Sequence, residues 1–178
     1  MKSRTKKALL TVYDIAVFGM LGALMMVSDL IMNVIPNVHL VGVMIVVITV
    51  VYRWKALFPI YVYVFLIGYI EGAGLWATYC YVWVILWGMV MILPKNMPKW
   101  LAPIAYALVC GLHGFGFGFW LIPYQMVFMH FSLDMSLAWW LSGLPLADVP
   151  HGIGNLAGSI LIVPLVTLIR KLDRRVKN

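Results

Sequence analysis

The stretch MKSRTKKALLTVYDIAVFGMLGALMMVSD, Met1–Asp29, decides what kind of protein this is. Four basic residues, Lys2, Arg4, Lys6 and Lys7, precede a long apolar run. That order suits a signal peptide or a first membrane helix. Asp14 interrupts the apolar core and no A-x-A cleavage pattern follows. The stretch is therefore read as a retained membrane helix, over about residues 8–32.

The rest of the chain repeats that pattern. Of 178 residues, 64% are hydrophobic and only 11% charged, against ~25% charged in a soluble domain. A spanning helix needs ~20 mostly apolar residues. Five further candidates follow, at about 38–52, 56–72, 77–94, 101–123 and 149–169. The breaks are NVIPNVH (Asn33–His39), RWK (Arg53–Lys55), EGAG (Glu71–Gly74) and PKNMPK (Pro94–Lys99). The second and third segments are short enough to form a re-entrant hairpin instead of two spans. Residues 124–148 read as a longer lid-like connection in the membrane interface. The expected fold is an all-α integral membrane protein, a single six-helix domain over 1–178.

Charge placement supports that parity. The thirteen Lys and Arg residues fall in four places: the N-terminal tail, Arg53 and Lys55, Lys95 and Lys99, and Arg170, Lys171, Arg174, Arg175 and Lys177. With six helices these four places share one side, which the positive-inside rule makes cytoplasmic, with both termini there. The net charge of +7 then reflects topology, and no nucleic-acid partner is expected. The opposite side carries Asp29, Glu71, Asp134 and Asp148 with His39, His130 and His151. Ionisable groups at membrane depth usually face a cavity or a partner.

Within the helices, aromatic residues recur at helical spacing. Tyr61, Phe65 and Tyr69 share one face, as do Tyr79, Trp83 and Trp87; His113 and Phe117 are one turn apart, with Trp120 adjoining. Such stripes are packing or interface belts, or a wall on which a planar ligand stacks. The outer members, Tyr69, Trp76, Tyr79, Trp83 and Trp120, are the better ligand candidates, because the polar groups lie at that end. Small residues form a second pattern: Ala16, Gly19 and Ala23 with Gly22 nearby, Gly111, Gly114 and Gly118, and Gly154 with Gly158. They let helix backbones approach, either inside the bundle or, on the first helix, against another protein.

DVPHGIGNLAG (Asp148–Gly158) holds the remaining constellation. Its Gly152-x-Gly154 starts like a dinucleotide-binding loop, but the next glycine comes one residue late and no strand precedes it. Asp148 can cap the helix and Pro150 suits its first turn, so His151 and Asn155 project from one face. They serve either interhelical hydrogen bonding or a ligand, and the same choice holds for His113; Glu71 is either a solvated helix end or a contact for a ligand donor or cation. A His-x-x-x-Asn pair occurs in intramembrane CAAX-type proteases, which also need paired Glu and an Arg; this chain has one Glu and no Arg near it. Cys80 and Cys110 lie in apolar runs without metal-ligand spacing. No nucleotide-binding motif or clustered metal-ligand motif is present, so no cofactor, no metal and no catalytic activity are expected. The open function classes are a solute-binding subunit and a stand-alone secondary transporter or channel, though no internal repeat of the transporter kind is visible.

A small, strongly apolar six-helix chain with both tails cytoplasmic resembles the substrate-binding (S) components of energy-coupling factor (ECF) vitamin transporters. Gly19-xxx-Ala23 on the first helix stands where that family has Ala-xxx-Ala, and NVHLVGV, VWVILWGMVMILPKNMPK and HGIGN are similar to stretches of family members. The resemblance implies a multi-pass protein of a prokaryotic cell membrane. It would dock through Ala16, Gly19 and Ala23 on a transmembrane coupling subunit that works with two ATPases. It also implies a micronutrient held near the outer surface, with His39, Glu71, Trp76, Tyr79, Trp83, His113, Trp120, His151 and Asn155 as the expected binding residues. Outer carboxylates without outer Lys or Arg favour a neutral or cationic aromatic substrate over a phosphate ester.

Overall fold

A computed structural model describes residues 10–177, and among them the chain is helix, turn and loop, without a strand. The helices are α1 (Val12–Met32), α2 (Val41–Tyr52), α3 (Leu57–Glu71), α4 (Ala73–Ile92), α5 (Leu101–Phe115), α6 (Phe117–Trp120), α7 (Ile122–Phe128), α8 (Leu133–Gly143), α9 (Asp148–Gly158) and α10 (Ile162–Lys177). Three helical runs are long and apolar enough to cross a bilayer: Val12–Met32, Val41–Glu71 and Asp148–Arg175. The pair Leu101–Phe115 and Phe117–Phe128 makes a fourth if it counts as one span. These runs mark a membrane-embedded protein.

The run Val41–Glu71 is not one rod. His39 Nδ1 and Tyr63 Oη both lie 2.8 Å from the carboxylate of Asp29. A straight helix would separate residues 24 apart by about 36 Å. The chain therefore reverses, and it does so at Arg53, whose φ of 55° is a left-handed value. The short second and third segments expected from the sequence are the two arms of this hairpin.

Asp14, which seemed to interrupt an apolar core, starts α1. Its backbone N–H donates to Thr11 Oγ1 and its carboxylate accepts from Thr11 N, both at 3.1 Å, a complete capping box. The same carboxylate receives Lys55 Nζ at 2.9 Å and so ties the start of α1 to the start of α3.

Helix α2 is apolar on every side and forms the centre of the bundle. Val43, Ile45 and Val46 are fully buried, and α1, α4, α5, α9 and α10 pack around it. Between α3 and α4 the chain turns on Gly72 alone, whose φ of 112° and ψ of 158° suit only glycine. Helices α5 and α9 cross antiparallel at their glycines. A Cβ on Gly111 would meet Leu156, and one on Gly114 would lie 2.7 Å from Asn155 Nδ2 and 2.9 Å from Gly152 Cα. The expected packing role of Gly111 and Gly114 thus has its partner in α9, while Gly118 lies against Trp140 of α8 and the Asp148 carboxylate. Because the obstacle at Gly114 includes backbone, Gly114→Ala is expected to destabilise the fold by about 1–3 kcal/mol, read as a lower melting temperature in detergent.

Three local expectations are corrected. The helix expected over 101–123 breaks at Gly116 and bends by 63°. The break falls in a run of alternating glycines, Gly114, Gly116 and Gly118, and the Gly118 N–H is drawn sideways to Asp148 at 2.9 Å. The connection 124–148 is largely helical. Pro123 sits in the first turn of α7, and Ser132 caps α8 by accepting from Met135 N at 3.2 Å. Asp148 is the first residue of α9 and does not cap it; Ala147 holds the N-cap position without a side-chain bond. The Asp148 carboxylate instead receives Gly118 N and, at 2.8 Å, Trp140 Nε1.

The described cations gather at one end. Lys55 pairs with Asp14 there, Arg53 donates to Met91 O at 2.8 Å, and Arg53, Lys95 and Arg170 line one cavity. Lys2, Arg4, Lys6 and Lys7 lie outside the described residues, as does the Lys177 side chain.

Candidate functional site

The opposite end contains a closed circuit of side chains. Asp29, near the end of α1, accepts a hydrogen bond from the buried Tyr63 hydroxyl of α3 at 2.8 Å. Its other oxygen lies 2.8 Å from His39 Nδ1, off the line of the N–H, so the contact is one of charge when the imidazole is protonated. The His39 ring meets His151 of α9 edge-on at 5.4 Å, and His151 packs on Phe117 of α6 at 4.6 Å. Phe117 touches Tyr79 and Trp83 of α4, with centroids 6.5 and 5.6 Å away, and both of these return to Tyr63. His113 of α5 joins from below, 5.6 Å from Trp83, with Trp120 stacked over it at 6.4 Å.

Several polar atoms in this circuit serve only one neighbour. His113 is fully buried; its Nε2 lies 3.1 Å from Val82 O, while Nδ1 has no partner. Asn155, equally buried, donates from Nδ2 to Cys110 O at 3.1 Å and leaves Oδ1 unpaired. His151 Nε2, Trp83 Nε1 and Trp120 Nε1 are also buried without partners. Interhelical bonding therefore accounts for one half of His113 and Asn155. Polar atoms orphaned in this way normally find water or a ligand.

A cavity of about 280 Å³ adjoins the circuit and shares Tyr79 and Phe117 with it. Its other walls include Thr78, Tyr124, Gln125 and Trp139, so it lies under the α6–α8 strap. No charged residue lines it. Gln125 is 5% exposed and its Oε1 has no partner. The cavity is near the small end of the ~300–1,000 Å³ usual for small-molecule sites, with apolar walls and a few polar atoms as such sites have. Three bonds help hold the strap: Tyr81 Oη donates to Trp120 O at 2.7 Å, and the Asp148 carboxylate joins both Gly118 and Trp140 to α9.

Of the residues expected from the sequence, His39, Tyr79, Trp83, His113, Trp120 and His151 come together through ring contacts. Asn155 lies one turn deeper, where a Cβ on Gly42 or Gly114 would meet it. Glu71 and Trp76 stand apart. Glu71 is exposed at the end of α3, and Trp76 stacks on the outward-facing Phe65 and donates to its carbonyl at 3.1 Å. The stripe Tyr61, Phe65 and Tyr69 faces outward, and the inward ring of α3 is Tyr63. Sequence reasoning did not place Asp29, Tyr63, Gln125 or Asp148 in the site. Asp29 carried a signal, as a carboxylate at the outer end of an apolar helix; Gln125 carried none. On α1, a Cβ added at Gly19 would meet nothing within 4 Å, and Ala16 is exposed, so this face is not used in internal packing; Gly22 is, against Val62 and Pro59. Among the described residues no group of three or more His, Cys, Asp or Glu is placed to hold a metal ion. Comparison with family models, curated proteins and solved structures gives no match for this chain.

Proposed function

We propose that the chain is the substrate-binding component of an ECF-type transporter and takes up a small, planar, vitamin-like molecule. On this reading six segments cross the membrane, both termini are cytoplasmic, and the chain has no catalysis of its own. A coupling subunit would dock on Ala16, Gly19 and Ala23, and two partner ATPases would drive toppling of the whole chain so that the site faces inward. The observation that carries the proposal is the uncharged cavity under the strap, at the end away from the basic residues, with the unpaired Gln125 Oε1 in its wall. Tyr79, Phe117 and Trp139 offer ring faces to a planar molecule, and Gln125 offers an acceptor to an N–H or O–H on its edge. A neutral compound suits this lining, and a cationic one draws on Asp29 nearby.

Native mass spectrometry of the purified full chain tests the proposal by detecting a retained small molecule. Gln125→Leu removes a buried acceptor worth about 1–3 kcal/mol, so affinity is expected to fall roughly 10- to 100-fold. Retention of the same molecule with parental affinity by Gln125→Leu removes the cavity from the site. Ion conduction by the chain alone in liposomes would instead favour a channel.

A further inference from the structure

We infer that the basic end of the bundle holds a binding site for a phosphate-bearing anion, and that its occupant is the headgroup of an anionic phospholipid. The inference is independent of what the other end binds. Two adjoining cavities, of about 260 and 360 Å³, open between the ends of α2 and α4, the α4–α5 turn and α10. They share Lys95, Tyr106 and Arg170; Arg53 lines the first and Lys99 the second. No carboxylate lines either cavity. The acidic groups at this end are engaged elsewhere, Asp14 by Lys55 and Asp173 by the hydroxyls of Tyr13 and Tyr52.

The two arginines are held in place. Arg53 has a left-handed φ of 55°, its carbonyl accepts from Trp87 Nε1 at 3.2 Å, and one guanidinium nitrogen donates to Met91 O. Its Nε is buried without a partner. Arg170 donates to Val50 O at 3.4 Å. These bonds use carbonyls near the ends of α2 and α4, so capping two helix C-termini is the simplest role for the arginines. It does not use the charge up. Two C-termini supply about −0.5 each, against four cations, and Lys95 and Lys99 make no carboxylate pair among the described residues.

A headgroup is a better occupant than a free phosphate because the surroundings are those of a membrane interface. Trp54 and Trp100 are exposed beside this end, as interfacial tryptophans are. Val51, Val90, Val163 and Val166 give the cavities apolar walls on which acyl chains can lie. Basic pockets between helices on the cytoplasmic side suit anionic headgroups, at about 1 kcal/mol per cation near the surface.

The test uses the full chain, delipidated in a mild detergent, and reads its melting temperature. Cardiolipin, phosphatidylcholine and inorganic phosphate are added separately. Cardiolipin is expected to raise the melting temperature and phosphatidylcholine to leave it unchanged. A triple variant, Lys95→Gln, Lys99→Gln and Arg170→Gln, is expected to bind cardiolipin on the order of a hundredfold more weakly, at about fivefold per cation. These side chains are exposed, so the variant should fold; Lys95→Arg should keep the response. A response to inorganic phosphate that the triple variant loses, without one to cardiolipin, supports the anion site but overturns the lipid as its occupant. Equal responses in parent and triple variant, or equal responses to both lipids, overturn the site.

Discussion

If the chain works as the proposed transporter subunit, Gly19→Leu is expected to abolish uptake while leaving small-molecule binding unchanged and without lowering the melting temperature of the isolated chain. A Cβ at Gly19 would have no neighbour within 4 Å, so a side chain added there starts in open space. Leucine is also the better helix former, by up to ~1 kcal/mol. The effect therefore falls on whatever approaches from outside. Around Gly19 the face of α1 is apolar and open, with Ile15 60% and Met20 66% exposed. A partner helix that packs closely on small residues is held off by an isobutyl group. The readout is co-purification with the proposed coupling subunit and ATPases, with uptake measured in parallel. Gly22→Leu is the internal control. Its Cβ would lie 2.5 Å from Val62 Cγ1 and 2.9 Å from Pro59 O, so it should damage folding itself. If Gly19→Leu still assembles and transports, α1 does not dock through this face. If it loses small-molecule binding as well, the face belongs to the chain's own fold.

The contrast between Gly19 and Gly22 shows where the sequence was informative. Both sit in the same small-residue pattern, and spacing alone could not say which faced α3. The helix breaks were legible because proline, glycine and charge clusters interrupt long apolar runs, and because every described cation returned to one end. The bend at Gly116 was not legible. It involves Asp148, 30 residues beyond Gly118, whose N–H it recruits. The same bond explains why Asp148 was misread as a cap: local sequence favours the cap, while a tertiary donor competes for the carboxylate. Within the site, rings at helical spacing on α4 and α5 were found. Tyr63 was missed because the neighbouring stripe Tyr61, Phe65, Tyr69 looked more regular, though regularity on a membrane helix equally describes a lipid-facing belt. Gln125 lay in a segment whose helices are too short to show a clear period.

Asp29→Ala is expected to lower stability by about 1–3 kcal/mol, because it leaves the buried Tyr63 hydroxyl without its acceptor. Asp29 connects three parts of the chain: α1, which carries it; the α1–α2 turn, through His39; and α3, through Tyr63. Tyr63 is 1% exposed, so its hydroxyl has no access to water once the carboxylate is gone. For a chain of this length the loss corresponds to a fall in melting temperature of roughly 2 to 12 °C, measured in detergent without added ligand. Asp29→Asn should fall less, since its amide oxygen still accepts from Tyr63 and only the charge facing His39 is lost. In Tyr63→Phe the donor disappears with its need for an acceptor, so Asp29→Ala combined with Tyr63→Phe should cost less than the two changes summed. Additive losses would mean that the hydroxyl and carboxylate are not coupled. The circuit makes a second readout informative. His39 leads to His151 and Phe117, and Tyr63 leads to Tyr79, so the two ends of the Asp29 contact hold opposite sides of the wall beside the cavity. Small-molecule affinity should therefore drop in Asp29→Ala even at temperatures where the chain remains folded, and recover part of the way in Asp29→Asn. A variant that melts early but binds with parental affinity would confine Asp29 to holding the helices together and detach the ring circuit from the cavity it borders.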